Sequence, residues 1–154
     1  MPRPSARTIV RTVVVLFVVA QVIRPARTNP PIDPSRTIQA RLALTPEVSE
    51  ILGRSCRDCH SNATVWPWYS NVAPVSWLLV SHVNNGRRHV SLSNWADYTP
   101  REARERLEEM CKEVREGEMP MSSYLIAHKS AALTDADKQA LCAWTERERS
   151  KIVE

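Results

Sequence analysis

The sequence predicts an all-α fold, and three observations support this class. Four segments of the 154-residue chain carry apolar residues at helical spacing behind recognisable capping residues. No segment shows the alternation of apolar and polar residues that a half-buried strand requires. The chain contains only three glycines, and no internal repeat is visible. A chain of this length suits one small helical domain with a modest core.

Two of the predicted helices flank a pair of cysteines. The first begins at Thr45, a favourable N-cap, and leads directly into Cys56. The second is predicted over residues 74–83, and the sequence Asn-Asn-Gly at 84–86 is expected to end it. The apolar face of the first helix is formed by Val48, Ile51 and Leu52.

The third and fourth predicted helices have clear N-terminal signals. The third begins with a capping box of Thr99 and Glu102 and ends at Gly117. The fourth begins at Thr134, with Asp137 at the N3 position. Their apolar stripes are Ala103, Leu107, Met110 and Val114 in the third helix, and Ala140, Leu141 and Trp144 in the fourth.

Ahead of the helical domain lie two segments of different composition. Residues 1–25 carry arginines around an apolar run at 12–23 and are predicted to be a membrane anchor, with a cleaved signal or a cytosolic core helix as alternatives. Residues 26–44 are rich in proline and are predicted to be a tether. The domain proper is predicted over 45–150. An anchor predicts a bacterial inner-membrane protein whose soluble domain faces the periplasm, and a cleaved signal predicts a free periplasmic form.

The basic character of the chain is confined to its N-terminus. The net charge is +4 and the pI is near 9.1, but five arginines lie in the first 27 residues, which contain no acidic residue. Without these five charges the rest of the chain carries −1. The positive charge therefore indicates membrane topology and excludes a nucleic-acid partner.

The motif C-x-x-C-H, formed by Cys56, Cys59 and His60, carries the chemistry of this sequence. A closed zinc site needs four ligands, and the remaining cysteines, Cys111 and Cys142, stand alone. A redox dithiol is expected at the start of a helix beside a sheet, whereas this pair follows a helix. A covalently attached haem explains all three residues, because both thiols can form thioethers while the histidine binds the iron.

This interpretation predicts one covalent haem c with its iron per chain, and it fits the N-terminal segment. Covalent haem attachment takes place outside the cytoplasm, so the chain would be a client of the c-type haem attachment machinery. Cys111 and Cys142 could form a disulfide in such an oxidising compartment, or they could remain two buried thiols. The sequence leaves that choice open.

The sixth ligand of the iron is predicted to be Met119, in the loop that follows Gly117. Met121 and the histidines at positions 82, 89 and 128 are alternatives, and a vacant site open to small ligands is another. Both methionines could instead be ordinary apolar residues that cover the edge of the haem.

Aromatic residues cluster soon after the motif and are predicted to form the apolar wall of a haem pocket. An indole N–H or the tyrosine hydroxyl is expected to bond a haem propionate, and the neighbouring arginines 87 and 88 are expected to meet propionates or water. The predicted wall consists of Trp66, Trp68, Tyr69 and Trp77, with Trp95 nearby.

The sequence resembles a bacterial haem-binding domain family over most of its length outside the N-terminal segment. The resemblance is carried by C-x-x-C-H at 56–60, W-P-W-Y-S-N-x-A-P-V-S-W at 66–77, N-x-G-R-x-H at 84–89, and G-E-M-P at 117–120 followed by Tyr124. It implies a small c-type cytochrome-like helical domain with covalent haem on Cys56 and Cys59 and His60 as the proximal ligand. It implies no particular reaction.

Three functional hypotheses follow. The first is a membrane-tethered electron carrier, not an enzyme, with histidine and methionine on the iron and an unidentified redox partner protein. The second is a haem enzyme or gas sensor with an open or displaceable distal site. The third is a binding or assembly module in which the haem is structural.

Overall fold

A computed structural model describes residues 5–153 and is helical throughout, with no strand in that range. The predicted all-α class is therefore confirmed. Short 3-10 turns join the longer elements at Pro34–Arg36, Trp68–Asn71, Trp95–Asp97 and Lys129–Ala131. The helices are α1 (Ala6–Ala20), α2 (Ile38–Arg41), α3 (Pro46–Ser55), α4 (Arg57–His60), α5 (Val75–His89), α6 (Pro100–Glu116), α7 (Ser122–Leu125) and α8 (Asp135–Lys151).

Helix α1 stands apart from the core. It has 15 residues and none of them is buried, although most of its side chains are apolar. No helix within residues 5–153 is both long enough and apolar enough to cross a membrane. The membrane helix expected at the N-terminus is thus not found, because the regular helix stops at Ala20 and rises only about 22 Å.

The core lies between α3, α6 and α8. Leu107 of α6 and Leu141 of α8 are almost completely buried, as is Trp144. A disulfide between Cys111 and Cys142 joins α6 to α8, with 4.8 Å between the two Cα atoms. The sequence did not decide whether Cys111 and Cys142 form a disulfide, and in this structure they do. The fully buried apolar residues of this core include Ile38, Val48, Ile51, Leu52, Leu107, Leu141 and Trp144.

The segment predicted as a tether over residues 26–44 is partly packed into the domain. Ile38 is 0% exposed, and its backbone N–H donates to the carbonyl of Leu92 at 2.9 Å. The indole of Trp144 donates to the carbonyl of Ala43 at 3.0 Å. Part of the segment before residue 45 is thus packed into the domain, because burial of the apolar side chain at 38 outweighs the proline-rich composition around it.

Helix α5 is longer than expected. It continues through Asn84, Asn85 and Gly86 to His89, so the prediction that it ends after Val83 is wrong. The only positive φ among the glycines is at Gly117, where α6 ends in a left-handed cap as predicted. The reason for a glycine at 86 lies in the motif that α5 packs against.

The predicted caps of the other helices are confirmed. Thr99 and Glu102 form a reciprocal capping box at the start of α6, and Thr134 and Asp137 form another at the start of α8. The Asp137 carboxylate also forms an ion pair with Arg54 of α3, at 2.7 Å. That ion pair and the cap hydrogen bonds lower the pKa of Asp137 to about 2. The end of α3, two residues before the motif, is thereby fixed to α8.

Candidate haem site

The C-x-x-C-H motif occupies a sharp junction between two helices. Helix α3 ends at Ser55, and the single turn of α4 carries Cys59 and His60. Cys56 is the residue between the helices, and the N–H groups of Cys59 and His60 both point back to its carbonyl, at 3.2 and 2.9 Å. One helical turn thus separates the two thiols, as a double attachment to one planar group requires.

Both thiols are free and half-buried. Burial raises the pKa of Cys56 to about 12, and burial together with the charge of Asp58 raises the pKa of Cys59 to about 11. A dithiol redox centre needs the opposite shift, because its attacking sulfur must be a thiolate. The environment therefore argues against the dithiol interpretation.

His60 is oriented by a backbone carbonyl. Its Nδ1 lies 3.0 Å from the oxygen of Val90, which can only accept, so Nδ1 carries a hydrogen and Nε2 keeps its lone pair. Burial lowers the pKa of His60, which favours the neutral imidazole. A neutral ring held through Nδ1 with Nε2 unprotonated is the form that binds a metal.

Helix α5 touches the motif through a glycine. A Cβ placed on Gly86 would lie 2.6 Å from the carbonyl oxygen of Cys59 and 3.3 Å from its Cβ. No side chain fits into that distance, so Gly86 lets α5 lie directly against α4. The same stretch of chain supplies the Val90 carbonyl that holds His60.

Arg87 joins α5 to two other segments of the chain beside the motif, residues 28–29 and residues 61–64. Its Nε donates to the carbonyl of Ser61 at 2.8 Å, and its terminal nitrogens donate to the carbonyl of Thr28, to Asn29 Oδ1 and to Thr64 Oγ1 at 2.8, 3.0 and 2.8 Å. All its partners are uncharged protein oxygens. Four of the five N–H groups of the guanidinium are thus engaged by the protein itself, so Arg87 also fixes the backbone beside the motif.

A tyrosine–histidine–aspartate cluster adjoins the motif through Asp58. The hydroxyl of Tyr124 donates to Asp58 at 3.0 Å, and the ring of His128 stacks on Tyr124 with the centroids 4.0 Å apart. His128 Nε2 is 3.4 Å from the hydroxyl of Tyr69. Burial raises the pKa of Tyr124, and the charges of Asp58 and Cys59 raise it further. Burial and the charge of Asp58 also raise the pKa of Tyr69, so the hydroxyls of Tyr69 and Tyr124 are both protonated near the second cysteine.

Two of the predicted wall residues hold the N-terminal segment. The indole of Trp66 donates to Asn29 at 3.2 Å, and the indole of Trp77 donates to the carbonyl of Ile23 at 2.7 Å. Both side chains are half-buried. Their N–H groups are thus engaged within the protein and are not free for a propionate.

The other predicted aromatics are divided between the surface and the core. Trp68 is 78% exposed and meets Tyr69 edge to face, with 5.8 Å between the ring centroids. Trp95 is buried in the main core against Tyr98. Of the predicted wall, Tyr69 is the member that shares a cluster with the surroundings of Cys59.

Met119 is half-buried and packs against the hydrophobic core, as Cys56 also does. Its backbone N–H donates to the carbonyl of Glu113 at 3.2 Å, which draws the loop back onto the end of α6. Among the alternative ligands, Met121 and His82 are half-buried and His89 is exposed.

The donor set fits a haem better than the alternatives. Cys111 and Cys142 are bonded to each other, so they cannot complete a zinc site with the motif. Among residues 5–153, no group of three or more histidine, cysteine, aspartate or glutamate side chains is arranged to hold a metal ion. Two free thiols one turn apart and an imidazole with a free Nε2 are the groups that a covalently held haem requires.

Comparison with known proteins agrees with this chemistry. Residues 15–147 match the model of the haem-binding domain family, and the chain belongs to that family. No curated protein and no solved structure matches the chain.

Sequence reasoning missed the residues that position the motif. Asp58 gives no signal, because any residue can stand between the two cysteines. The carbonyl of Val90 cannot be seen in a side-chain pattern at all. Gly86 and Arg87 were visible within N-x-G-R-x-H, but their partners lie about 30 and 60 residues away along the chain.

Proposed function

We propose that this protein is a covalent c-type haem protein that carries electrons and is attached to a bacterial inner membrane with its domain facing the periplasm. The observation that carries the proposal is the hydrogen bond between His60 Nδ1 and the Val90 carbonyl, which leaves Nε2 for the iron. The disulfide between Cys111 and Cys142 supports an oxidising compartment. The exposed apolar helix α1 supports attachment to the membrane.

In this proposal each residue of the site has one role. Cys56 and Cys59 would hold the porphyrin through thioethers, and His60 and Met119 would bind its iron. The haem supplies an iron that alternates between the ferric and ferrous states. The hydrogen bond to the Val90 carbonyl would hold the His60 ring in one orientation in both states, and with Met119 also bound the iron would offer no position to a substrate.

Removal of the thiols should abolish covalent attachment. In the double variant Cys56→Ser/Cys59→Ser, we expect no haem to remain with the polypeptide after denaturing electrophoresis, because no thioether can form. Each single variant should keep one bond and a reduced haem content. Covalent haem in the double variant would contradict the proposal, and the variant Cys111→Ser/Cys142→Ser serves as a control for a general loss of cysteines.

Met119→Ala should change the spin state of the iron. Loss of the thioether ligand leaves the sixth position weakly filled, so the absorption spectrum of the purified holoprotein should shift from low to high spin. The matched control is Met121→Ala, two residues away, which should stay low spin. A shift in the control alone would transfer the role to Met121.

Carbon monoxide distinguishes a carrier from a sensor or an enzyme. A six-coordinate carrier should take up the gas slowly and weakly in the reduced state, because Met119 must first dissociate. Rapid and tight uptake by the native protein would contradict the carrier and favour an open distal site.

A further inference from the structure

We propose that the first turns of α5 and the end of the N-terminal segment form a surface that contacts lipid and seats the domain directly on the bilayer. This surface, called the collar here, consists of Val22, Ile23, Val75 and Leu78. The inference rests on the membrane attachment proposed above and goes further, because it assigns a lipid-binding face to the folded domain.

The starting point is α1, whose apolar side chains are turned to solvent on all sides. Residues such as Val10, Leu16 and Val18 are 60 to 62% exposed, and the remaining apolar side chains from Ile9 to Val19 are half exposed or more. From residue 13 to residue 20 α1 carries only apolar side chains, and a helical segment that is apolar all round is stable in hydrocarbon rather than in water. The first 32 residues contain several arginines and no acidic residue, which suits anionic headgroups.

The chain that leaves α1 is fixed to the start of α5. The side-chain amide of Gln21 exchanges two hydrogen bonds with the backbone of Ala73, donating at 3.2 Å and accepting at 2.9 Å. Within the first turn of α5, the indole of Trp77 donates to the carbonyl of Ile23 at 2.7 Å. These hydrogen bonds hold the C-terminal end of α1 against the domain, with no flexible linker between the two.

The length of α1 then determines how close the domain comes to the bilayer. Fifteen residues rise about 22 Å, whereas a bilayer core is about 30 Å thick. Because α1 is too short to cross that core and is joined to the domain without a flexible linker, its C-terminal end and whatever is fixed to it must lie close to the headgroups. The element fixed there is the N-terminal end of α5.

The surface of α5 changes character along its length in agreement with this arrangement. Near α1 its exposed residues are Val75 and Leu78, 45% and 54% exposed, and the adjoining Val22 and Ile23 are 82% and 63% exposed. The exposed residues further along α5 are polar or charged: Ser81, Asn84, Arg88 and His89. Only the end nearest α1 is therefore suited to lipid.

Two arginines beside the collar favour a bilayer, and not a protein groove, as the surface that the collar contacts. Arg24 and Arg27 are exposed and directly follow the apolar end of the segment, and Arg27 is held in place by Ser70 at 3.0 Å. Arginines beside an apolar collar can bind phosphate headgroups while the collar lies at the acyl boundary.

The test places a nitroxide at three positions of the full-length holoprotein in vesicles of phosphatidylcholine and phosphatidylglycerol. The native cysteines are occupied by the haem and the disulfide, so an added cysteine is the only thiol to label. The variants are Val15→Cys on α1, Leu78→Cys on the collar, and Lys112→Cys on the exposed side of α6. Collisions with oxygen and with a water-soluble nickel chelate report the environment of each label.

We expect the nickel accessibility of Leu78→Cys to be several-fold below that of Lys112→Cys, with Val15→Cys more protected still. A protected label at position 15 combined with a label at 78 that is as accessible as the label at 112 would overturn the collar and leave the membrane attachment intact. Full accessibility at both 15 and 78 would overturn both proposals. As a second readout, Leu78→Ser should raise nickel accessibility at a Val75→Cys label.

Discussion

Gly86→Ala should prevent the motif from folding into a form that accepts haem. The added Cβ would lie 2.6 Å from the Cys59 carbonyl oxygen, so α5 must move away from α4. Overpacking of this kind costs about 1–3 kcal/mol, and the clash with rigid backbone places the expected loss at the upper end. Because the Val90 carbonyl moves with α5, we expect covalent haem content to fall by most of its value, measured by pyridine haemochrome on purified protein.

The chain provides a matched control for this variant. Gly53 lies inside α3, three residues before Cys56, and a Cβ there would have no neighbour within 4 Å. Gly53→Ala should leave haem content unchanged and stabilise the protein by about 0.5–1 kcal/mol, because alanine is the better helix former. Equal haem content in the two variants would show that the close approach of α5 to Cys59 is not required.

The disulfide should be the largest single covalent contribution to stability outside the haem. Cys111 and Cys142 are 31 residues apart, and closing a loop of that size stabilises by about 3–4 kcal/mol through the unfolded state. We expect Cys111→Ser/Cys142→Ser to lower the free energy of unfolding by that amount, measured in urea on the haem-loaded protein.

The single variants sharpen this prediction. Cys111→Ser and Cys142→Ser should each lose as much stability as the double variant, because one sulfur cannot form the bond. Unchanged stability in both single variants would mean that the loop is already restricted in the unfolded chain. Haem content should stay high throughout, since the disulfide joins α6 to α8 and does not touch the motif.

The sequence predicted the helices best where the signals are local. The capping boxes at Thr99 and Thr134 depend on residues three positions apart, and both are present. The motif at 56–60 is equally local, because one turn of helix sets its spacing. The role of Gly86 was predicted wrongly because it depends on a contact with a residue far away in the sequence. A glycine that ends a helix and a glycine that admits a neighbouring backbone look the same in one sequence, and only the contact with Cys59 separates them.

The contacts that residues 28–38 make with the rest of the domain could not be predicted from composition. Prolines around position 34 suggested a flexible connection, yet the single apolar residue Ile38 is completely buried. The hydrogen bonds of Arg87 to Thr28 and Asn29 cross almost 60 residues of sequence. Such contacts depend on the path of the chain through space, which periodicity and capping do not determine.

The backbone connection from Ile38 to the site has a mechanical consequence. Ile38 donates to Leu92 at 2.9 Å, and Leu92 donates to the carbonyl of His60 at 2.7 Å. A displacement of the backbone at Ile38 would therefore reach the proposed iron ligand through two hydrogen bonds. Truncations should for this reason end upstream of Gln21, so that its hydrogen bonds to Ala73 still anchor the segment ahead of Ile38.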